Sequence, residues 1–150
     1  SAASDVYKRQ QYNLLDRNRF ENEYGPLYEK YGLGTTIWSP LASGALTGKY
    51  LDGIPEGSRA TLSGYEWLKK SMVESDRGQE RMGRVTKLAP IAEKLNISMS
   101  KLAIAWCLLN KNVSTVILGA SKLEQLKENL ESTEVLPLID EHIQKELLSI

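Results

Sequence analysis

Residues 34–44, with the sequence GTTIWSPLASG, join a β-branched run to a turn of small residues. An unbroken β-branched run is typical of a buried parallel strand. Small residues after the strand let backbone N–H groups approach a ligand closely. The stretch therefore predicts a strand over Gly34–Trp38 and a ligand-binding turn over residues 39–44, with Gly48 and Lys49 following it.

A second unit of the same kind occurs near the C-terminus. Val113–Leu118 is a hydrophobic, β-branched run, and Gly119-Ala120-Ser121 follows it where a helix is predicted to begin. A helix N-terminus carries about half a positive charge and attracts anions. Together the two units predict a nucleotide bound at the C-terminal ends of parallel strands.

Helical patterns surround these strands, and a long loop rich in Gly, Ser, Thr and Pro is predicted over residues 41–64. The predicted helices span, in chain order, residues 20–31 (ended by Gly32), 65–72, 80–95 (with a kink or a restart at Pro90), 98–110 (capped by Ser98), 121–130 (with a Ser121–Glu124 capping box) and a last helix capped by Asp140. Strands that alternate with helices favour parallel βαβ connections.

The length of the chain sets the fold prediction. Two strands cannot close a sheet, and a (β/α)₈ TIM barrel takes about 250 residues, whereas this chain has 150. We therefore expect an α/β fold that forms the C-terminal portion of such a barrel, over residues 11–150. Residues 1–10, SAASDVYKRQ, show no periodicity and are expected to be a non-native leader or artefact.

The composition excludes several classes of protein. The 19 basic residues balance the 19 acidic ones, which argues against a nucleic-acid-binding surface. No apolar run approaches the roughly 18 residues of a membrane helix, so no membrane insertion is expected. Cys107 is the only cysteine, so no internal disulfide can form; its apolar neighbours predict a packing role, and the chain suits the cytoplasm.

Motifs spread over most of the chain carry a family resemblance: WSPLASG at residues 38–44, TGKY at 47–50, IP at 54–55, SR at 58–59, GYEWL at 64–68, LAIAWC at 102–107, and GAS at 119–121 with Gln125, Glu128 and Asn129. From Gln11 onward the sequence resembles the aldo-keto reductases, most closely the voltage-gated potassium channel β-subunits and their plant and microbial relatives. The resemblance implies an aldo-keto reductase barrel that binds NADP(H) in an extended pose, without a Gly-rich Rossmann fingerprint.

The resemblance also implies cofactor-binding residues at the matching positions. The residues that it implies line the nicotinamide and pyrophosphate are Trp38, Ser39, Pro40, Leu41, Ala42 and Ser43. Lys49 and Arg59 are expected to pair with phosphate oxygens. The residues that it implies hold the adenosine half with its 2′-phosphate are Gly119, Ser121, Gln125, Glu128 and Asn129.

Departures from the family pattern limit what is carried over. The catalytic Asp, Tyr, Lys and His of the family lie in the first half of the barrel, so no catalytic residue is assigned here. A Gln that contacts the nicotinamide in the family is replaced by Arg9, three residues before Tyr12. Many members use a Lys and an Arg for the 2′-phosphate, whereas this chain has Lys122 and Gln125.

Two functions follow from the resemblance. The first is an NADP-dependent oxidoreductase that reduces a small carbonyl substrate, here a fragment that is inactive alone. The alternative is a regulatory β-subunit, a cofactor-loaded redox sensor docked on the cytoplasmic domain of a potassium channel. Relatives suggest a homotetramer for the full-length protein.

Plainer explanations stand beside these assignments. Ser121 and Glu124 are also an ordinary capping box, Trp38 a core aromatic at the barrel rim, and Lys49 and Arg59 solvated charges. Gly44 to Lys49 has a spacing of glycines that does not fit a Walker A loop. His142 is the only histidine and has no neighbours at ligand spacing, so no metal site is predicted.

Overall fold

Three parallel strands form the sheet of this protein, whose computed structural model describes residues 7–150. The strands are β1 (Tyr7–Gln11), β2 (Gly34–Trp38) and β3 (Thr115–Val116). They pair in chain order, with Gln11 opposite Trp38 and Thr36 opposite Thr115. Neighbouring strands that follow one another in sequence, each pair joined by helices, are the arrangement of successive units in a (β/α)₈ barrel.

Helices connect these strands and follow the last of them. The α-helices are α1 (Gly25–Tyr31), α2 (Glu66–Lys69), α3 (Asp76–Lys94), α4 (Met99–Leu108), α5 (Leu123–Leu130) and α6 (Glu141–Leu148). Single π-helical turns at Arg19–Glu23 and Lys70–Glu74 precede α1 and follow α2. Short 3₁₀ turns lie at Ala42–Thr47, Arg59–Thr61, Glu131–Thr133 and Leu136–Leu138.

The sheet has one covered and one open face. Side chains alternate across a strand, and in β2 Thr35 and Ile37 are buried while Trp38 is 40% exposed. In β1 Gln10 is buried against α1, where its amide donates to the Tyr28 hydroxyl at 2.7 Å, and Arg9 is exposed. The helices therefore pack on one face, and Trp38 stands on the other.

The core lies between the sheet and the helices. Tyr12 stacks on Phe20 with ring centroids 4.2 Å apart and contacts Trp106 at 5.0 Å. Residues 102–107 of α4 are all buried, as an apolar helix flanked by packed layers requires. Cys107 is among them, which confirms its packing role, and burial raises the pKa of its thiol.

The exclusion of residues 7–10 from the fold was wrong, since they form most of β1. The sequence YKRQQ shows no hydrophobic alternation from which a strand could be predicted. Its buried residue Gln10 is polar and forms a hydrogen bond with Tyr28. Residues 1–6 lie outside the described residues, and the prediction about the origin of the leader stays a prediction. The strand predicted over Val113–Leu118 is shorter than expected, although Ser114 N–H and Ile117 N–H extend its bonding to β2.

Two helix predictions also need correction. Residues 20–31 form a π-helical turn and then α1, which restarts at Gly25-Pro26 because proline favours the first helical turn. Tyr31, the last residue of α1, is 59% exposed. The helix does not restart at Pro90, and α3 continues through it. Pro90 and Thr86 are exposed, so water can satisfy the Thr86 carbonyl that the proline leaves unbonded.

Other predictions are confirmed. Gly32 ends α1 in the left-handed conformation, with φ of 59°. Ser98 caps α4 by accepting from Lys101 N–H, and Asp140 caps α6 by accepting from Ile143 N–H at 2.9 Å. Each cap supplies one of the acceptors that the first turn of a helix lacks.

Two glycines of α3 give a matched stability test. A Cβ at Gly78 would lie 2.6 Å from the carbonyl carbon of Met72 and 2.9 Å from the carbonyl oxygen of Ser71, whereas one at Gly83 would meet nothing within 4 Å. We expect Gly78→Ala to destabilise the protein by about 1–3 kcal/mol through backbone overlap. Gly83→Ala should stabilise it by about 0.5–1 kcal/mol through helix propensity. Urea unfolding of both variants measures the difference, and a Gly78→Ala protein as stable as Gly83→Ala would contradict the packing of α3 described here.

Candidate functional site

The turn after β2 holds an unusual run of left-handed backbone conformations. Ser39, Ala42 and Ser43 have φ of 58°, 47° and 57°, and Gly44 has φ of 95°. Side chains other than glycine avoid this region at a cost of about 1–2 kcal/mol per residue. Such residues cluster at ligand-binding and catalytic sites, where the surrounding structure holds them in place.

Backbone hydrogen bonds keep this turn closed. Ala42 N–H donates to the Ser39 carbonyl at 3.0 Å, and Gly44 N–H donates to the Leu41 carbonyl at 2.8 Å. Pro40 and Ala42 are buried, while Ser39, Leu41 and Ser43 are half-buried. The turn thus sits at the C-terminal end of β2, directly after the exposed Trp38, where the sequence predicts ligand binding.

Lys49 folds back across the turn, and Gly44 makes room for it. A Cβ at Gly44 would lie 2.7 Å from Lys49 Cε and 2.8 Å from Lys49 Nζ, so only glycine leaves the lysine undisturbed. The ammonium also lies 4.9 Å from the ring centre of Tyr50, within cation–π range. Lys49 is exposed, so its charge lies beside the turn and is open to an anion.

Arg59 makes different contacts. Its guanidinium lies 4.8 Å from the ring centre of Tyr65 and donates to the Tyr65 hydroxyl at 3.4 Å. The contacts described for Arg59 are therefore with the segment before α2. An exposed side chain in these contacts can still swing toward an anion, so its predicted pairing with phosphate stays a prediction.

Gln125 organises the start of α5. Its Oε1 accepts from Ser121 N–H at 3.0 Å, Ser121 Oγ at 3.2 Å and Lys122 N–H at 3.3 Å. The predicted Ser121–Glu124 capping box is wrong, because Gln125 supplies the acceptor and the helix begins at Leu123. Since the amide oxygen is engaged, the Nε2 group is the part of Gln125 that can meet an anion.

The residues predicted to bind adenosine differ in accessibility. Gly119, Ser121 and Gln125 are exposed and Glu128 is half-buried, whereas Asn129 is only 5% exposed. The exposed members lie at the C-terminal end of β3, as Trp38 and its turn lie at the end of β2. Because parallel strands end at the same edge of the sheet, both predicted regions face that edge.

A groove of about 500 Å³ opens beside Trp38 at the β1 side of the sheet. Its wall includes Gln11, Asp16 and the arginines Arg9, Arg17, Arg19 and Arg77. Arg9 stands where the family has a glutamine, but the register places Gln11, not Arg9, directly opposite Trp38. An amide is thus present beside Trp38 even though the expected position lacks one.

Sequence reasoning missed a polar network behind the turn. Asp16 forms two hydrogen bonds with Arg81, of 2.6 and 2.8 Å, and accepts from Gln11 Nε2 at 3.0 Å. Partial burial raises the pKa of Asp16, but the bonds and charge of Arg81 outweigh it and hold the pKa below its usual range. Asn13 is fully buried, and its amide donates to the Ser39 carbonyl at 3.0 Å.

Only part of this network has a signal in the sequence. Asn13 and Asp16 follow β1 closely, and residues of this type after a strand favour side-chain-to-backbone turns. Arg81 is 65 positions further along the chain, and no local pattern connects it with Asp16. The pairing depends on how α3 packs, which is a tertiary property.

Residues 7–150 contain neither a metal-ligand cluster nor a membrane-spanning helix. No group of three or more His, Cys, Asp or Glu side chains there is placed to hold a metal ion. None of the helices in that range has the length and apolar character needed to cross a bilayer.

Comparison with known proteins shows the family of this chain. Residues 6–146 match the sequence model of the Aldo/keto reductase family. The chain is 47% identical over 136 residues to a probable voltage-gated potassium channel subunit beta from Oryza sativa subsp. japonica; the match covers 89% of this chain and 40% of the rice protein. The chain therefore spans less than half the length of that relative, and it belongs to the aldo/keto reductase family.

Proposed function

We propose that this chain is the cofactor-binding, C-terminal portion of an NADP-dependent oxidoreductase with a (β/α)₈ barrel. The observation that carries the proposal is the left-handed turn after β2 with Lys49 folded across it, next to the exposed Trp38. A closed turn of small residues with an exposed ammonium group beside it, at the C-terminal end of a parallel strand, suits a dinucleotide phosphate.

Each part of the site has a task in this proposal. The exposed face of Trp38 packs against the nicotinamide, and the turn Ser39-Pro40-Leu41-Ala42-Ser43 brings backbone close to the pyrophosphate. Lys49 neutralises phosphate charge from the other side of the turn, and Arg59 joins it. Ser121 and Gln125 contact the 2′-phosphate, while Gly119, Glu128 and Asn129 shape the adenosine pocket.

The chemistry itself needs groups that this chain does not supply. NADPH, when bound, provides the hydride that reduces a carbonyl carbon. The proton for the carbonyl oxygen is assigned, by family resemblance, to a tyrosine of the preceding part of the barrel. The chain therefore positions the cofactor and is expected to be inactive by itself, in a cytoplasmic enzyme acting on small carbonyl compounds.

The proposal is tested by nucleotide preference. We define the joined barrel as this chain fused to the preceding portion of the rice relative, in place of that relative's matching segment. Ser121→Ala with Gln125→Ala should weaken NADPH far more than NADH, since only NADPH carries the 2′-phosphate. Each lost charge-assisted bond costs about 1.5–3 kcal/mol, or about tenfold or more in affinity. Fluorescence titration of both nucleotides measures this, with the exposed α3 residue Gln79→Ala as control.

Equal losses for the two nucleotides would show that Ser121 and Gln125 serve the adenine or the helix start only. A joined barrel that folds and binds neither nucleotide would overturn the proposal itself. The control variant should bind both as the parent does, because Gln79 is exposed on α3 rather than at the sheet edge.

A second function is favoured by one specific observation, the description of the rice relative as a probable potassium channel subunit beta. Under that function the barrel is a homotetrameric regulatory subunit, its cofactor acts as a redox sensor, and it docks on the cytoplasmic domain of a channel. Sedimentation of the joined barrel with a purified channel cytoplasmic domain separates the two. Co-sedimentation supports the regulatory role, and an enzymatically active barrel that does not bind supports the reductase.

A further inference from the structure

Asn13 connects the end of β1 to the left-handed turn after β2. It is fully buried, and its Nδ2 group donates to the Ser39 carbonyl at 3.0 Å. The same carbonyl accepts from Ala42 N–H at 3.0 Å. Ser39 is the first left-handed residue of the turn and Ala42 is the second. The Asn13 amide is therefore bonded to the atom on which the turn closes.

The Asn13 side chain is itself held in one orientation. Its Oδ1 accepts from Leu15 N–H and Asp16 N–H, both at 2.9 Å. An amide whose oxygen is committed to two backbone donors can present only its NH₂ group to a third partner. The side-chain flip that would remove the bond to Ser39 would also leave the buried Leu15 N–H without this acceptor, whereas Asp16 N–H would keep its bond to the Asn13 backbone carbonyl at 3.1 Å.

The segment that carries Asn13 is anchored to α3. Arg81 donates two hydrogen bonds to the Asp16 carboxylate, and Arg84 donates to the Leu14 carbonyl at 3.0 Å. A continuous chain of hydrogen bonds thus runs from α3 through residues 13–16 to Ser39. A backbone that occupies unfavourable φ values persists where the surrounding structure holds it in place, and this chain of bonds supplies such a hold at Ser39.

We propose that Asn13 is a positioning residue for the cofactor turn: its amide holds Ser39 and Ala42 in their left-handed conformations so that the turn is ready for a nucleotide. The role of the turn in nucleotide binding rests on the function proposed above, whereas the mechanical role of Asn13 does not. Asn13 is 26 positions away from Ser39, so the link is visible only in the folded protein.

Hydrogen exchange of the 150-residue chain tests the mechanical part. Asn13→Ala should speed amide exchange in residues 39–46, and the increase there should be about tenfold larger than the increase in residues 102–107 of α4. Tenfold is the factor expected for the one hydrogen bond that the turn loses. Asn13→Asp keeps both acceptor bonds of Oδ1 and removes the donor at neutral pH. It should loosen residues 39–46 while leaving residues 13–16 protected, which keeps the test valid if the alanine variant unfolds.

Asn110→Ala is the matched control. It removes a bond of similar kind, from Asn110 Nδ2 to the Tyr12 hydroxyl at 3.0 Å, on the helix side of the sheet. Its effect on residues 39–46 should not exceed its effect on α4. The proposal is overturned if Asn13→Ala accelerates exchange only in residues 13–16, or equally throughout the chain, because the amide would then serve its own turn or general stability.

The consequence for the cofactor is measured in the joined barrel. Asn13→Ala should weaken NADPH and NADH by the same factor, about tenfold, since the turn contacts the half that both share. If the turn loosens while neither nucleotide binds the parent barrel, the positioning role stands and the proposed function fails. If both nucleotides bind the parent and the variant alike, the turn does not need Asn13 and the positioning role for cofactor fails.

Discussion

The alternation of side chains in β2 is the constraint on which the site depends. Thr35 and Ile37 point into the helix layer and are buried completely, which fixes the opposite orientation of Trp38. A shift of one residue would move every side chain of the strand to the other face. Burial of Ile37 therefore sets where Trp38 stands, and the turn that follows starts from the open side of the sheet.

The site also depends on a turn whose non-glycine residues Ser39, Ala42 and Ser43 have unfavourable left-handed conformations. Its first left-handed residue, Ser39, accepts a hydrogen bond from Asn13 of the neighbouring loop, and Lys49 lies over Gly44, where a Cβ would clash with it. These contacts come from β1, from the turn and from the loop beyond it. The site is thus a product of tertiary packing, although each of its parts is short and local.

The sequence predicted the local features well and the connections poorly. The β2 strand, the turn after it, the caps at Ser98 and Asp140 and the buried Cys107 follow from nearby residues. The strand β1 was missed because its polar residues show no alternation, and the cap of α5 was assigned to the wrong pair because several acceptors compete there. The links from Arg81 to Asp16 and from Asn13 to Ser39 join distant positions, so no local pattern could reveal them.

The most direct test of the central claim is the affinity of the joined barrel for NADPH with and without the Lys49 charge. Lys49→Met keeps the side-chain length and removes the ammonium, so NADPH should bind about tenfold more weakly. The control variant Lys87→Met, at an exposed position of α3, has the same change of net charge and should bind NADPH as the parent does. Equal affinities for the parent and the Lys49→Met variant, or an equal loss in the Lys87→Met control, would contradict the account that this turn and its lysine hold the cofactor phosphates.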